Sequence, residues 1–204
     1  MSGAALLGYT LAAFLLTITP GLDTLLILRS VLAGGRRAGF AVGMGITAGC
    51  VLWGTASIAG LTALLAASPL AYDLVRYAGA AYLLWLGGSG LWRSWRRREE
   101  PVDVVPVAGA FRTGLMTNLL NPKIGVFYVS LLPQFVPASG ASAAWAALLV
   151  AIHVGLGLLW QAGLIWFGGR ARTVLARPSL RRITERVAAS VLLGFGLKVA
   201  LGGR

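Results

Sequence analysis

Thr19-Pro20-Gly21-Leu22-Asp23 and Asn121-Pro122-Lys123 interrupt two otherwise apolar stretches, and their prolines stand 102 residues apart in a chain of 204. A proline inside a membrane helix withdraws a backbone donor and frees a carbonyl. Hydrocarbon offers neither group a partner, so such breaks persist where protein or a water-filled cavity supplies one. The spacing predicts two halves of one design, interrupted at corresponding positions.

Outward from these breaks the chain is strongly apolar. Hydrophobic residues make up 57% of it and charged residues 12%, with a mean hydropathy of +0.79. The apolar residues run in long blocks without an amphipathic period, which reads as an all-α polytopic membrane protein set in lipid. The net charge of +12 does not indicate nucleic acid, because the arginines form short clusters between apolar runs and no soluble domain carries them. Cys50 is the one cysteine and lies inside an apolar run, so no disulfide, redox or thiol-ligated metal role follows. Nothing points to a cofactor. The first apolar stretch has no basic region before it and runs through Pro20, so it reads as a retained span and not a signal peptide.

Six spans are expected, at about 4–33, 38–67, 71–92, 109–136, 141–168 and 187–202. Arg29, Arg36 and Arg37 lie at the junction of spans one and two; Arg93, Arg96, Arg97, Arg98 and Arg112 at the junction of spans three and four; Arg170, Arg172, Arg177, Arg181, Arg182 and Arg186 between five and six. These 14 of the 18 basic residues fall on one side, which the positive-inside rule places in the cytoplasm with both termini outside. Three spans per half put the halves in inverted orientation. The reading is one integral membrane domain over 1–204, with repeat one at about 1–92, a cytoplasmic linker at about 93–108 and repeat two at about 109–204. Gly39, Gly43, Gly45 and Gly49 recur at helical spacing in span two and are read as close helix packing in preference to a moving contact. Exposed small-residue faces would also permit a homo-oligomer.

Both breaks fall near the middle of their spans, so each can start a half-helix at mid-membrane. Thr19 and Asn121 are expected to act as N-caps, with Pro20 and Pro122 at the first helical position. A half-helix N-terminus presents unpaired N–H groups and the positive end of a dipole, and paired breaks of this kind mark the binding site of a secondary transporter. Asp23 and Lys123 are the carboxylate and the amine deep inside the spans, and such a residue costs about 2.5 to 3.5 kcal/mol at a helix centre. One reading is a structural ion pair that locks the halves together. The other gives Lys123 and the half-helix ends the carboxylate of a small zwitterion, with Asp23 holding its ammonium or carrying a coupling proton.

The remaining polar candidates carry weaker signals. His153 either bonds a neighbouring carbonyl or joins a proton relay. Asn118 and Gln161 either line the cavity or join helices, and Tyr82, Phe127 and Tyr128 either shape the pocket or pack. A cation or metal-ion transporter is the alternative of similar architecture. It lacks a ligand set, since only Asp23, His153 and Cys50 stand within spans, and Lys123 opposes a cation. No H-E-x-x-H, membrane aspartate pair or Gly-x-Ser-x-Gly marks an intramembrane enzyme.

The chain resembles the LysE/RhtB family of amino-acid exporters in Thr19-Pro20-Gly21-Leu22-Asp23, Gly79-Ala80-Ala81-Tyr82-Leu83, Phe111-Arg112-Thr113-Gly114-Leu115, Asn118-Leu119-Leu120-Asn121-Pro122-Lys123 and Pro133-Gln134-Phe135. One departure is Leu22, where the family often has a second proline. The resemblance covers nearly the whole length. It implies efflux of amino acids or their derivatives across the bacterial cytoplasmic (inner) membrane, driven by a proton gradient or the membrane potential. It implies no particular amino acid, because members carry basic, small polar or branched apolar ones.

Overall fold

The computed structural model describes residues 3–67, 109–136 and 142–168 without interruption, with residues 61–67 as backbone, together with separate helical positions between 74 and 92 and between 183 and 197. All regular structure among the described residues is helical. Spans three and six fall largely outside the described residues, as does Tyr82.

Span one begins as α1 (Gly3–Ile18), stops at Thr19-Pro20-Gly21 and resumes as the first arm of α2 (Leu22–Ala67). Within α2, Gly35 has φ 74° and ψ −175°, a region that belongs essentially to glycine. It divides α2 into arms at 22–34 and 36–67, and the arms fold onto each other. Leu26, Ile27 and Leu28 share one apolar cluster with Val42 and Ile46. Val31 lies so close to Gly39 that a Cβ there would collide with it, whereas eight residues of straight helix would separate them by about 12 Å. The second arm is span two. Gly35→Ala is expected to cost about 1–3 kcal/mol by forcing a Cβ into this backbone region, read as a lower melting temperature in detergent.

Span four is assembled from short pieces: α3 (Ala110–Leu119), α4 (Pro122–Val126), a π-helical turn at Phe127–Leu131 and a 3₁₀ turn at Leu132–Phe135. α5 (Ser142–Trp166) is span five. By length and composition, Leu22–Gly60 and Ala143–Trp166 can each cross a membrane. Leu7, Leu11 and Phe14 of α1 and Leu158, Leu159 and Trp166 of α5 are exposed, with Leu159 at 74%. Lipid solvates such faces, which water would not.

Contacts at the two ends set the directions of the spans. Near the start of α1, the Tyr9 hydroxyl donates to the Leu149 carbonyl near the start of α5 at 2.9 Å. The Tyr9 ring also meets Phe135, at the end of span four, edge-on at 5.4 Å. At the opposite end, the Arg36 guanidinium lies over the ring of Trp166, 4.6 Å from its centroid. Spans one and five therefore run in one direction and span four in the other, as alternate crossings of a membrane require.

The span-two glycines serve two neighbours. Gly39 and Gly43 face Ile165 and Gln161 of α5, while Gly45 and Gly49 face α3. A Cβ at Gly45 would collide with the Phe111 carbonyl oxygen, and one at Gly114 would collide with that of Val42. The two backbones touch from both sides, which supports the packing reading of these glycines; in lipid, such close approach replaces hydrophobic pull between helices. Gly114→Leu is expected to lower the melting temperature in detergent by roughly 5 °C or more, and an unchanged value would show that the crossing is loose.

Candidate functional site

At the first break the missing donor can be followed to its replacement. Pro20 has no N–H, so the carbonyl of Leu16, four residues earlier, loses its intrahelical partner. The ammonium of Lys123, 107 positions away in the chain, donates to that carbonyl at 2.7 Å and to the Thr19 carbonyl at 3.0 Å. Lys123 thus caps the C-terminal, negative end of α1. Lys123 packs beside Gly21, where an added Cβ would lie in ordinary contact at 3.8 Å from Nζ.

Thr19 does not act as the expected N-cap. Its Oγ1 turns back to the Leu15 carbonyl at 2.5 Å, which its own backbone N–H also reaches at 3.1 Å. Helical geometry resumes only at Leu22, and the Gly21 carbonyl accepts the Leu25 N–H at 3.0 Å. The reason is local: Pro20 and Gly21 both lie outside the helix, which puts Thr19 out of reach of its first turn. With leucine at position 22 in place of a second proline, the break still spans residues 19–21.

The second break follows the expected cap. Asn121 is extended (φ −77°, ψ 108°), its Oδ1 accepts the Lys123 N–H at 3.1 Å, and Pro122 opens α4. The first free donor of that half-helix is therefore spent on Asn121. In the other half, the first turn of α2 carries its own carboxylate, Asp23. The half-helix N-termini are thus occupied by side chains of the chain itself, and the group left to meet an incoming carboxylate is the Lys123 ammonium.

Asp23 and Lys123 are cross-matched. Each charge sits against a helix end of opposite polarity, and both belong to the first break. Asp23 Oδ2 accepts from Asn118 Nδ2 at 2.9 Å, and Asn121 and Lys123 lie close to the same carboxyl. Asp23 Oδ1 is buried with no hydrogen-bond donor. Asn118 is fully buried in α3; its Nδ2 also reaches Cys50 Sγ at 3.4 Å, and its Oδ1, packed against Gly49, has no donor either. An orphaned carboxylate oxygen beside a lysine marks a place where an ammonium or a proton would be stabilised.

These groups open onto a cavity of about 60 Å³ where the two apolar clusters meet. Thr19, Gly21, Asp23, Asn121 and Lys123 form its polar side; Leu16, Ile27, Ile46, Ile124 and Val154 supply apolar walls. His153 and Gln161 also line it. His153 Nδ1 pairs with the Tyr128 hydroxyl at 2.9 Å, and its ring lies 4.4 Å from that of Phe127. Gln161 Oε1 accepts from Thr47 Oγ1 at 3.3 Å. Asn118 stands behind Asp23, Phe127 packs behind His153, and Pro20 lies in the first break while Pro122 opens α4 at the second. Among the described residues, no three of His, Cys, Asp and Glu gather where they could hold a metal ion.

A model of the family described as LysE type translocator matches residues 14–203. The chain belongs to this family. It is a membrane transporter and not an enzyme. Among relatives of this LysE type translocator, the leucine efflux protein of Enterobacter sp. (strain 638) is 29% identical over 94% of the chain and 93% of its own length. The uncharacterized membrane protein YrhP of Bacillus subtilis is 28% identical over 97% of the chain and 99% of its own. The leucine efflux protein of Klebsiella pneumoniae is 28% identical over 95% and 93%. No solved structure matches.

Several residues that complete the translocator's cavity carried no sequence signal. Thr47 and Thr24 look like ordinary small residues of apolar runs, yet Thr47 holds Gln161 and Thr24 accepts from Trp160 Nε1 at 3.4 Å. Tyr128, read from the sequence as shaping the pocket or packing, sits in a π-helical turn and pairs with His153. Asn118→Leu is expected to remove the donor on Asp23 and lower stability by about 1–3 kcal/mol, measured as a shift of the thermal transition in detergent.

Proposed function

We propose that this translocator exports amino acids from the bacterial cytoplasm, alternating access around the cavity between the two breaks, in the inner membrane. Six spans in two inverted three-span repeats, with the basic loops in the cytoplasm and both termini outside, are the architecture of this reading. The observation that carries it is the placement of the Asp23 carboxylate, one oxygen of which has no donor, and the Lys123 ammonium on one small cavity that also has aliphatic walls.

A zwitterion matches that arrangement. Its ammonium would supply the donor that Asp23 Oδ1 lacks. Its carboxylate would compete with the Leu16 and Thr19 carbonyls for Lys123, exchanging two dipoles for a full charge. The contest couples binding to structure, because a lysine drawn onto the substrate releases the end of α1. The substrate side chain would meet Ile27, Ile46 and Val154, which favours a branched aliphatic amino acid, and the leucine efflux proteins among the relatives support the same class. Protonation of Asp23 from outside would weaken its hold on the substrate ammonium and link proton entry to substrate exit.

The test is efflux of a panel of labelled amino acids from loaded cells expressing the wild type, Asp23→Asn or Lys123→Ala. Selective efflux of branched aliphatic amino acids, lost in both variants, is the expected result. Inserted wild-type protein that exports no amino acid would refute the reading.

A further inference from the structure

We propose that Gly157 forms the floor of the subsite for the substrate's side chain and sets the largest side chain the translocator accepts; this rests on the amino-acid reading above. His153, Gly157 and Gln161 stand at i, i+4 and i+8 on α5, so they share one helix face, and all three line the cavity. The residues on either side of Gly157 are fixed. His153 is held by Tyr128 at 2.9 Å and sits against the Phe127 ring. Gln161 is held by Thr47 at 3.3 Å and wedged against Gly43, where an added Cβ would fall 2.8 Å from Gln161 Oε1. Trp160 is tied to Thr24 at 3.4 Å, one residue from Asp23.

Between these fixed groups Gly157 alone leaves space. A Cβ built there meets nothing nearer than Gln161 Nε2, at 3.9 Å. Packing does not demand glycine at this position, in contrast to Gly45 or Gly114, and glycine in a helix interior costs about 1 kcal/mol relative to alanine. The residue gives up that stability and returns open volume on the cavity wall. Gly155, two positions away on the same helix, has nothing within 4 Å of an added Cβ and is not among the residues lining the cavity. It provides a matched control.

The geometry predicts a graded exclusion. Each carbon added at position 157 removes room from the substrate side chain, and a methylene in an apolar pocket discriminates by about 10–200-fold. In cells loaded with labelled leucine, isoleucine, valine and alanine, Gly157→Val is expected to lower leucine efflux relative to alanine efflux at least tenfold. Gly157→Ala should fall between Gly157→Val and the wild type, and Gly155→Val should keep the wild-type ratio. A wild-type leucine-to-alanine ratio in well-inserted Gly157→Val would overturn the inference while the amino-acid reading stands. Equal loss of all four amino acids in the inserted variant would also overturn it, since a side-chain subsite must spare the smallest. No amino-acid efflux by the wild type would remove both.

Discussion

Lys123→Ala is expected to abolish export and, at the same time, to destabilise the first break. The ammonium replaces the backbone donor that Pro20 lacks, and it caps two carbonyls at the end of α1. Without it, the Leu16 and Thr19 carbonyls lose that donor, and an unmet buried polar group costs about 1–3 kcal/mol. The same substitution deletes the one cation, among the described residues, that lines the cavity and could hold a substrate carboxylate. Truncating one partner of a buried charged hydrogen bond costs roughly 2–5 kcal/mol in binding, so efflux should fall by a hundredfold or more. Both losses should appear together, as a lower thermal transition in detergent and as background efflux. Lys123→Arg should recover much of the stability, since it keeps donors in reach of the carbonyls. A Lys123→Ala protein with wild-type melting behaviour would show that the cap is not structural.

Asp23→Asn is expected to separate the two effects. The substitution is isosteric, and the amide oxygen can still accept from Asn118 Nδ2, which donates to Asp23 at 2.9 Å. The fold should therefore change little. What disappears is the charge that attracts an ammonium and the site that takes up a proton. Efflux should fall by about a hundredfold, with a melting temperature close to that of the wild type. The residual rate should also lose the pH dependence of the parent. Wild-type efflux with the parent's pH dependence would contradict the role given to Asp23.

Together the two variants separate the readings that the sequence left open. A purely structural ion pair would make both substitutions destabilising and neither specific for transport. The cross-matched geometry predicts asymmetry, because Lys123 is bound to backbone while Asp23 retains an oxygen without a donor.

How much could be read beforehand depended on the range of the interaction. The breaks were legible because proline acts on its own turn, and Asn121-Pro122 capped α4 as local rules require. Thr19-Pro20 resembled the same cap, but the glycine that follows moved the helix start to Leu22. Pro20 also announces an orphaned carbonyl at Leu16, yet nothing local says that Lys123 supplies the donor. The glycine stripe in span two was legible as packing, while its division between α5 and α3 needed the three-dimensional arrangement. The π-helical turn that aims Tyr128 at His153 has no compositional signature. Gly157 is one of 28 glycines, and its place on the cavity wall together with the open space beside it sets it apart.

The stretches that follow the two breaks also differ in a way their matching motifs concealed. After the first break the chain continues as regular helix to Gly35, whereas after the second it passes through α4, a π-helical turn and a 3₁₀ turn within 14 residues, 122–135. Departures from regular helix often mark functional segments. Here they bring Tyr128 onto His153, which lines the cavity, and Phe135 onto Tyr9.

The central claim is that the two ends of one zwitterion are held by Asp23 and Lys123, and counterflow by purified wild-type protein in proteoliposomes tests it most directly. Labelled leucine would be exchanged against internal leucine, its carboxylate-free analogue leucinol, or its amine-free analogue 4-methylpentanoate. The account predicts rapid exchange with leucine and background exchange with both analogues, since each lacks one of the two charges. Exchange with either analogue as fast as with leucine would contradict it.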